Sequence, residues 1–250
     1  MKEFLTFLFY FLLLGTLVYK AKIFKSDIFS KRQLWALYSL KMFSGLSYVL
    51  ISKGLIKAGD IFLYFEDSKL IYQELLQGRV FDYFYLCFAP NGYLVEGNIA
   101  KVVDAMGFWW DSSAYMVVRL NAIFNFFSFA SIYTNALFFA FLSFLGSLLL
   151  VRSIQIVLKP KTKWVLWTVF LSPSLLYWTA GMHKESICVF LIACLLFGLI
   201  KILRTRIWYY YLLVCLAAVL LWFKRFFILA LLIPPLVSYI IWYCKKFNRP

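Results

Sequence analysis

Acids are scarce in this chain: 11 of its 250 residues are Asp or Glu, against 26 Lys and Arg, and there is a single histidine. Five cysteines are present and none forms a C-x-x-C pair. Cys188, Cys194 and Cys215 lie inside apolar runs, Cys244 lies at the edge of one, and only Cys87 lies in a long connecting segment. Neither a disulfide framework nor a thiolate metal site is therefore expected. The strict apolar/polar alternation of barrel strands is missing, as is any internal repeat or low-complexity tract. A net charge of +15 comes without a basic patch in polar surroundings, which argues against nucleic acid as a partner.

Apolar residues dominate instead. The chain is 64% hydrophobic and 22% aromatic, with a mean hydropathy of +0.83, where soluble domains are about 45–50% apolar. A lipid-exposed backbone must satisfy its own hydrogen bonds, so long apolar runs mean helices. The fold class expected is all-α: a polytopic transmembrane helical bundle forming one domain over 1–250. About seven spans are predicted, at 4–19, 34–56, 135–151, 164–180, 186–203, 207–223 and 227–243. Lys2 before the first run also suits a secretory leader, but no A-x-A-like site follows in "LVYKAKIF", so this run is read as an anchor. Pro234-Pro235 is expected to break or kink the last span.

Charge sorts the loops. Segments 20–33, 152–163, 201–206 and the tail after 243 carry 15 of the 26 cations, which the positive-inside rule makes cytoplasmic. The N-terminus is then outside and the C-terminus inside. On this topology 10 of the 11 acids are external, with Asp27 the exception. Any carboxylate chemistry is accordingly expected outside.

Most acids fall in 57–134, an external loop read as interfacial helices lying on the membrane. "GDIFLYFEDSKLIYQELLQG" predicts a helix over about 60–77 with Asp60 at its N-terminus and Gly78 as its stop. Asp60, Asp67 and Glu74 recur every seven residues, a stripe that either faces solvent or carries chemistry. "GNIAKVVDAMG" predicts a short helix capped by Asn98 and ended by Gly107. Segment 113–130 is apolar enough to span, yet as a span it would bury Arg119, Asn121 and Asn125 and invert the cationic 152–163 loop, so it is read as an amphipathic interfacial helix.

Four groups are candidates for function. Asp60, just past the second span, can act as a general base toward a hydroxyl, or ligate a divalent cation that neutralises a phosphate-bearing donor; the plainer role is a helix-start acid. His183, Lys184 and Glu185, in "SPSLLYWTAGMHKES", stand at the start of the fifth span, where a cation and a helix N-terminus suit an anion; the plainer roles are a snorkelling lysine and a first-turn acid. Lys224 and Arg225, in "LWFKRFFIL", form an external cation pair that suits a phosphate or simply anchors to anionic lipid. Lys41 is a charge deep inside a predicted span, which makes it a candidate.

"LKMFSGLSYVLISKGLIKAGDIFLYFED", followed by "SPSLLYWTAGMHKES" and a cation pair between late spans, resembles bacterial multi-pass proteins related to integral-membrane glycosyltransferases of the GT-C type. The likeness extends loosely over residues 35–230. It implies a cytoplasmic-membrane protein of the cell envelope that uses a sugar linked to a polyprenyl phosphate, with Asp60 in the acidic role of the first large external loop. Members are usually longer, and this chain has one extra span before the acidic loop. Cytoplasmic nucleotide-sugar chemistry would need acids on that side, commonly D-x-D, and only Asp27 stands there. A non-catalytic membrane assembly subunit and a carrier for lipid-linked sugars remain the competing classes.

Overall fold

The computed structural model describes residues 2–21, 24, 28–56, 59–158 and 164–247. Asp27 and the loop cations Lys22, Lys25, Lys159, Lys161 and Lys163 lie outside the described residues. Among those described there are ten α-helices and no strand: α1 Lys2–Lys20, α2 Lys31–Ile51, α3 Asp60–Leu76, α4 Val80–Phe88, α5 Gly97–Asp104, α6 Ser112–Ser128, α7 Ile132–Leu158, α8 Trp164–Leu171, α9 Lys184–Thr205 and α10 Trp208–Phe247. The chain divides into two compact units, Met1–Phe144 with Phe170–Ile187 and Leu145–Val169 with Cys188–Pro250.

Among the described residues five helical stretches are long and apolar enough to cross a membrane: Lys2–Lys20, Lys31–Gly54, Ile132–Leu158, Lys184–Thr205 and Arg225–Lys245. Two of the seven expected spans fall short. Trp208–Phe223 is an apolar helix, but shorter than the others. The run 164–180 is discontinuous: α8 ends at Leu171, Pro173 follows, and Ser174–Trp178 winds as a π-helical turn. Proline supplies no N–H and collides with the preceding turn, which ends α8 where it does. In α10 the backbone leaves helical geometry at Arg225 (φ −151°, ψ 63°), whereas Pro234 and Pro235 lie inside the helix. The interruption thus falls at the expected connection between the last two spans, while the helix continues through the proline pair.

The break near Pro173 explains Lys41. Its side chain is 2% exposed, and Nζ donates to the Leu175 carbonyl and to Thr179 Oγ1, the latter at 2.7 Å. Thr179 Oγ1 lies 2.7 Å from Ser143 Oγ, and Ser44 Oγ donates to the Leu176 carbonyl at 2.9 Å. Lys41 and Ser44 thereby fasten α2 to the irregular turn. Close approach is possible because α2 offers Gly45 there: a Cβ at that position would lie 2.7 Å from the Ala180 carbonyl oxygen and 3.0 Å from Ala140 Cβ. Lys41→Met keeps the volume but removes both hydrogen bonds that the lysine donates, each worth about 0.5–1.5 kcal/mol net. The variant is expected to unfold at lower temperature in detergent, with Trp178 fluorescence changing first.

The first unit also contains α3 to α6. On α3, Ile61, Tyr64, Phe65, Ser68, Ile71 and Tyr72 are buried, the i, i+3, i+4, i+7 spacing of a single face, and α3 lies along α6. Helix α4, which the aromatic stretch "VFDYFYLCF" did not announce, follows the expected stop at Gly78 (φ 79°). Two of the three striped acids are interior clamps. Asp67, 4% exposed, accepts from the backbone N–H of Gly107 (3.1 Å) and Phe108 (2.9 Å). Burial raises its pKa, and those two N–H groups partly offset the rise. Glu74, also 4% exposed, pairs with Arg79 and accepts from Asn98 Nδ2 at 2.9 Å; the Arg79 contact lowers its pKa against the opposing effect of burial. Asn98 is therefore a bridge between Glu74 and Asp82, and the residue preceding α5 is Glu96.

Helix α6 reverses the expected amphipathic sense. Asn121 and Asn125 are fully buried, while Phe126, Phe127 and Phe129 are exposed. Asn135 Nδ2 donates to Asn121 Oδ1 (3.0 Å) and Asn125 Oδ1 (2.7 Å), Asn125 Nδ2 donates to Ser68 Oγ (3.0 Å), and Ser128 Oγ donates to Asn135 Oδ1 (2.6 Å). A connected polar network of this kind holds α3, α6 and the start of α7 in one arrangement.

In the second unit, small residues again set helix separations. A Cβ on Gly146 would lie 2.9 Å from the Phe190 Cα, and one on Gly198 2.7 Å from the Val214 side chain. Arg204 on α9 donates to the Ile156 carbonyl of α7 at 2.8 Å.

Candidate functional site

Three helix starts and one helix end converge in the first unit. Gly59, at φ 147° and ψ 150°, turns the chain into α3 through a conformation open chiefly to glycine, so that Asp60 becomes the first residue of the helix. One turn on, the buried Tyr64 phenol lies close enough to the Asp60 carboxyl group to feel its charge. The start of α9 supplies Lys184 and Glu185. The start of α6 supplies Asp111, whose Oδ1 caps the helix by accepting from Ser113 N (2.8 Å) and Ala114 N (3.1 Å). The C-terminal part of α2 supplies Tyr48.

These groups act on one another. Asp60 and Glu185 both lie within electrostatic range of Tyr48, Tyr64 and His183, and Asp111 within range of Tyr64. Burial, then Asp60, Asp111 and Glu185, push the Tyr64 phenol well above its ordinary pKa, so it stays a hydrogen-bond donor. Asp111 Oδ2 pairs with Lys184 Nζ at 3.2 Å, with the side chains 49% and 20% exposed. Burial opposes the Asp111 charge, but the Ala114 N–H, Lys184 and the Ser113 N–H outweigh it and hold the carboxyl below its ordinary pKa.

His183 stands edge-on to the Tyr48 ring, with centroids 4.6 Å apart at 89°. Gly181 permits this, since a Cβ there would lie 2.9 Å from the imidazole Cδ2 and 3.0 Å from Tyr48 Cδ1. Burial lowers the histidine pKa against the pull of Glu185 and Asp60, so the ring is neutral at pH 7. Its Nε2 is buried and finds no hydrogen-bond partner among the described residues. Tyr177 and Trp178 of the π-helical turn complete an aromatic wall, their rings 5.0 and 6.1 Å from Tyr48, with Trp178 exposed.

The sequence-derived candidates thus divide. Asp60, His183, Lys184 and Glu185 stand in one neighbourhood. Asp67 is committed to the Gly107–Phe108 backbone and Lys41 to the Leu175 turn. Arg225 lies in the second unit at the break in α10, its guanidinium 5.6 Å from the Phe227 ring centroid, and Lys224 precedes it. Tyr48, Tyr64 and Asp111 join the neighbourhood without having been singled out. Tyr64 follows Asp60 at i+4, and Asp111 precedes a helical run in "WDSSAY", so both had a local signal; Tyr48 had none. Among the described residues no three His, Cys, Asp or Glu side chains are grouped to hold a metal ion.

No family model matches the chain, and comparisons with curated proteins and with solved structures return no match.

Proposed function

We propose that the chain is a membrane glycosyltransferase that moves a sugar from a polyprenyl-phosphate donor to an acceptor hydroxyl at the external membrane face. One juxtaposition carries the reading: an exposed carboxylate at a helix start, Asp60, shares a neighbourhood with Lys184 at the start of α9 and with a neutral imidazole. Asp60 takes the proton of the attacking hydroxyl as its oxygen bonds to the sugar C1. The C1–O bond to phosphate breaks, and the electron pair leaves on the polyprenyl phosphate. Lys184 and the N–H groups opening α9 receive that anion. The Lys184–Asp111 pair is half-exposed and worth only about 0–1 kcal/mol, so a phosphate displaces it readily. Tyr64 stands beside Asp60, and Trp178 offers a ring face to the sugar.

The supporting topology is that of the positive-inside rule, with the acids of the 57–134 segment on the external side and the chain in a bacterial cytoplasmic membrane. The Lys224–Arg225 pair is a separate phosphate or lipid-head-group contact on this reading.

A carrier of lipid-linked sugars is the second reading, favoured by the discontinuous helix at 164–180 with a buried lysine bound to its Leu175 carbonyl and Thr179 hydroxyl, since broken helices are a feature of transporter sites. Proteoliposomes loaded with polyprenyl-phosphate-linked sugars separate the two. Transfer releases free polyprenyl phosphate and joins the sugar to an added acceptor. Carriage moves the intact donor across the bilayer, and consumption of a nucleotide sugar would refute both.

A further inference from the structure

Helices α4 and α6, with Leu75 of α3, enclose a groove of about 220 Å³ lined by Leu75, Tyr83, Phe84, Phe88, Ile123, Phe126 and Phe127. It has no free polar group to orient a head group, because the Tyr83 hydroxyl is spent on the Ala122 carbonyl at 3.3 Å. The volume is below the roughly 300–1,000 Å³ of pockets that enclose a drug-sized ligand.

Depth identifies the occupant. Tyr10 stands at the middle of α1, and its hydroxyl donates to the carbonyl of Phe127 at 3.0 Å, while its ring meets Phe138, which also meets Phe124. Helix α1 is apolar and long enough to cross a membrane, about 28 Å at 1.5 Å per residue against a hydrocarbon core of about 30 Å. The groove wall at Phe127 is therefore level with the hydrocarbon and not with the head groups.

The corner between α6 and α7 behaves as backbone at that depth must. Phe129, Ala130 and Ser131 find protein acceptors in the Asn125 and Ser128 carbonyls, and the surrounding side chains close on one another through Asn121, Asn125, Ser128 and Asn135. The polar residues face in and the phenylalanines face out, the reverse of a helix lying on a head-group surface.

We propose that α4 and α6 enter the hydrocarbon region and that their groove holds one acyl chain of a bilayer phospholipid. The full chain reconstituted in vesicles of phosphatidylcholine carrying a diazirine on its acyl chain is photolysed, and the adducts are mapped by mass spectrometry. Adducts are expected on Phe84, Phe88, Phe126 and Phe127 as well as on Leu12 and Leu13 of α1, which are exposed. Ile123→Trp fills the groove and is expected to abolish the groove adducts while those on Leu12 and Leu13 persist, which also reports that the variant is folded. Labelling of α1 without α4 and α6 would overturn the insertion. Groove adducts indifferent to Ile123→Trp would overturn the bound chain, and should that variant fail to accumulate, Phe84→Trp provides the same test.

Discussion

Replacing Asp60 with asparagine is expected to lower sugar transfer by about 10²–10⁴-fold, the usual contribution of a general base, with the protein still inserted and folded. Asparagine keeps the size of the side chain, and Asp60 is exposed, so little in the fold depends on its charge. Release of polyprenyl phosphate by reconstituted variant and parent gives the ratio. The same substitution at Asp67 separates chemistry from structure. There a carboxylate is buried against two backbone N–H groups, so Asp67→Asn is expected to lower the unfolding temperature and to spare turnover in the molecules that remain folded.

Lys184→Ala is expected to raise the donor concentration needed for half-maximal rate by about tenfold or more, because charge-assisted contacts to phosphate are worth roughly 1.5–3 kcal/mol. Asp111→Asn gives the opposite sign. It frees Lys184 from its partner at 3.2 Å and removes a negative charge from the neighbourhood, so the donor is expected to bind as well as before or better. Saturation curves for both variants decide the assignment: a Lys184→Ala enzyme with unchanged donor dependence would return that lysine to a plain ion pair with the α6 cap.

Local signals account for much of this fold. Glycine at 78 ends α3, proline at 173 stops α8, and the Lys224–Arg225 interruption coincides with the break in α10. What the sequence did not disclose depends on partners far along the chain. Spacing puts Asp67 and Glu74 on one stripe of α3, but only the fold shows that Gly107, Phe108, Arg79 and Asn98 meet them and turn a solvated face into an interior one. Asn121 and Asn125 looked too costly to bury, because their acceptors and donors on Ser68 and Asn135 lie 57 and 14 residues or fewer away. The run 164–180 matched a span by composition, and the lysine on α2 that holds its irregular turn is more than a hundred residues distant. In the candidate site, Asp60 and the His183–Glu185 trio were visible as charges placed against the trend of an apolar chain. Tyr48 was one aromatic among many and gained meaning only from its contact with His183.

Equilibrium binding of a polyprenyl phosphate to reconstituted Asp60→Asn protein, set beside its rate of sugar transfer, tests the shared site most directly. The expected result is affinity equal to or tighter than the parent's, since a like charge has been removed, together with loss of transfer. Affinity falling in step with transfer, or transfer at the parent's rate, would contradict the role given to Asp60.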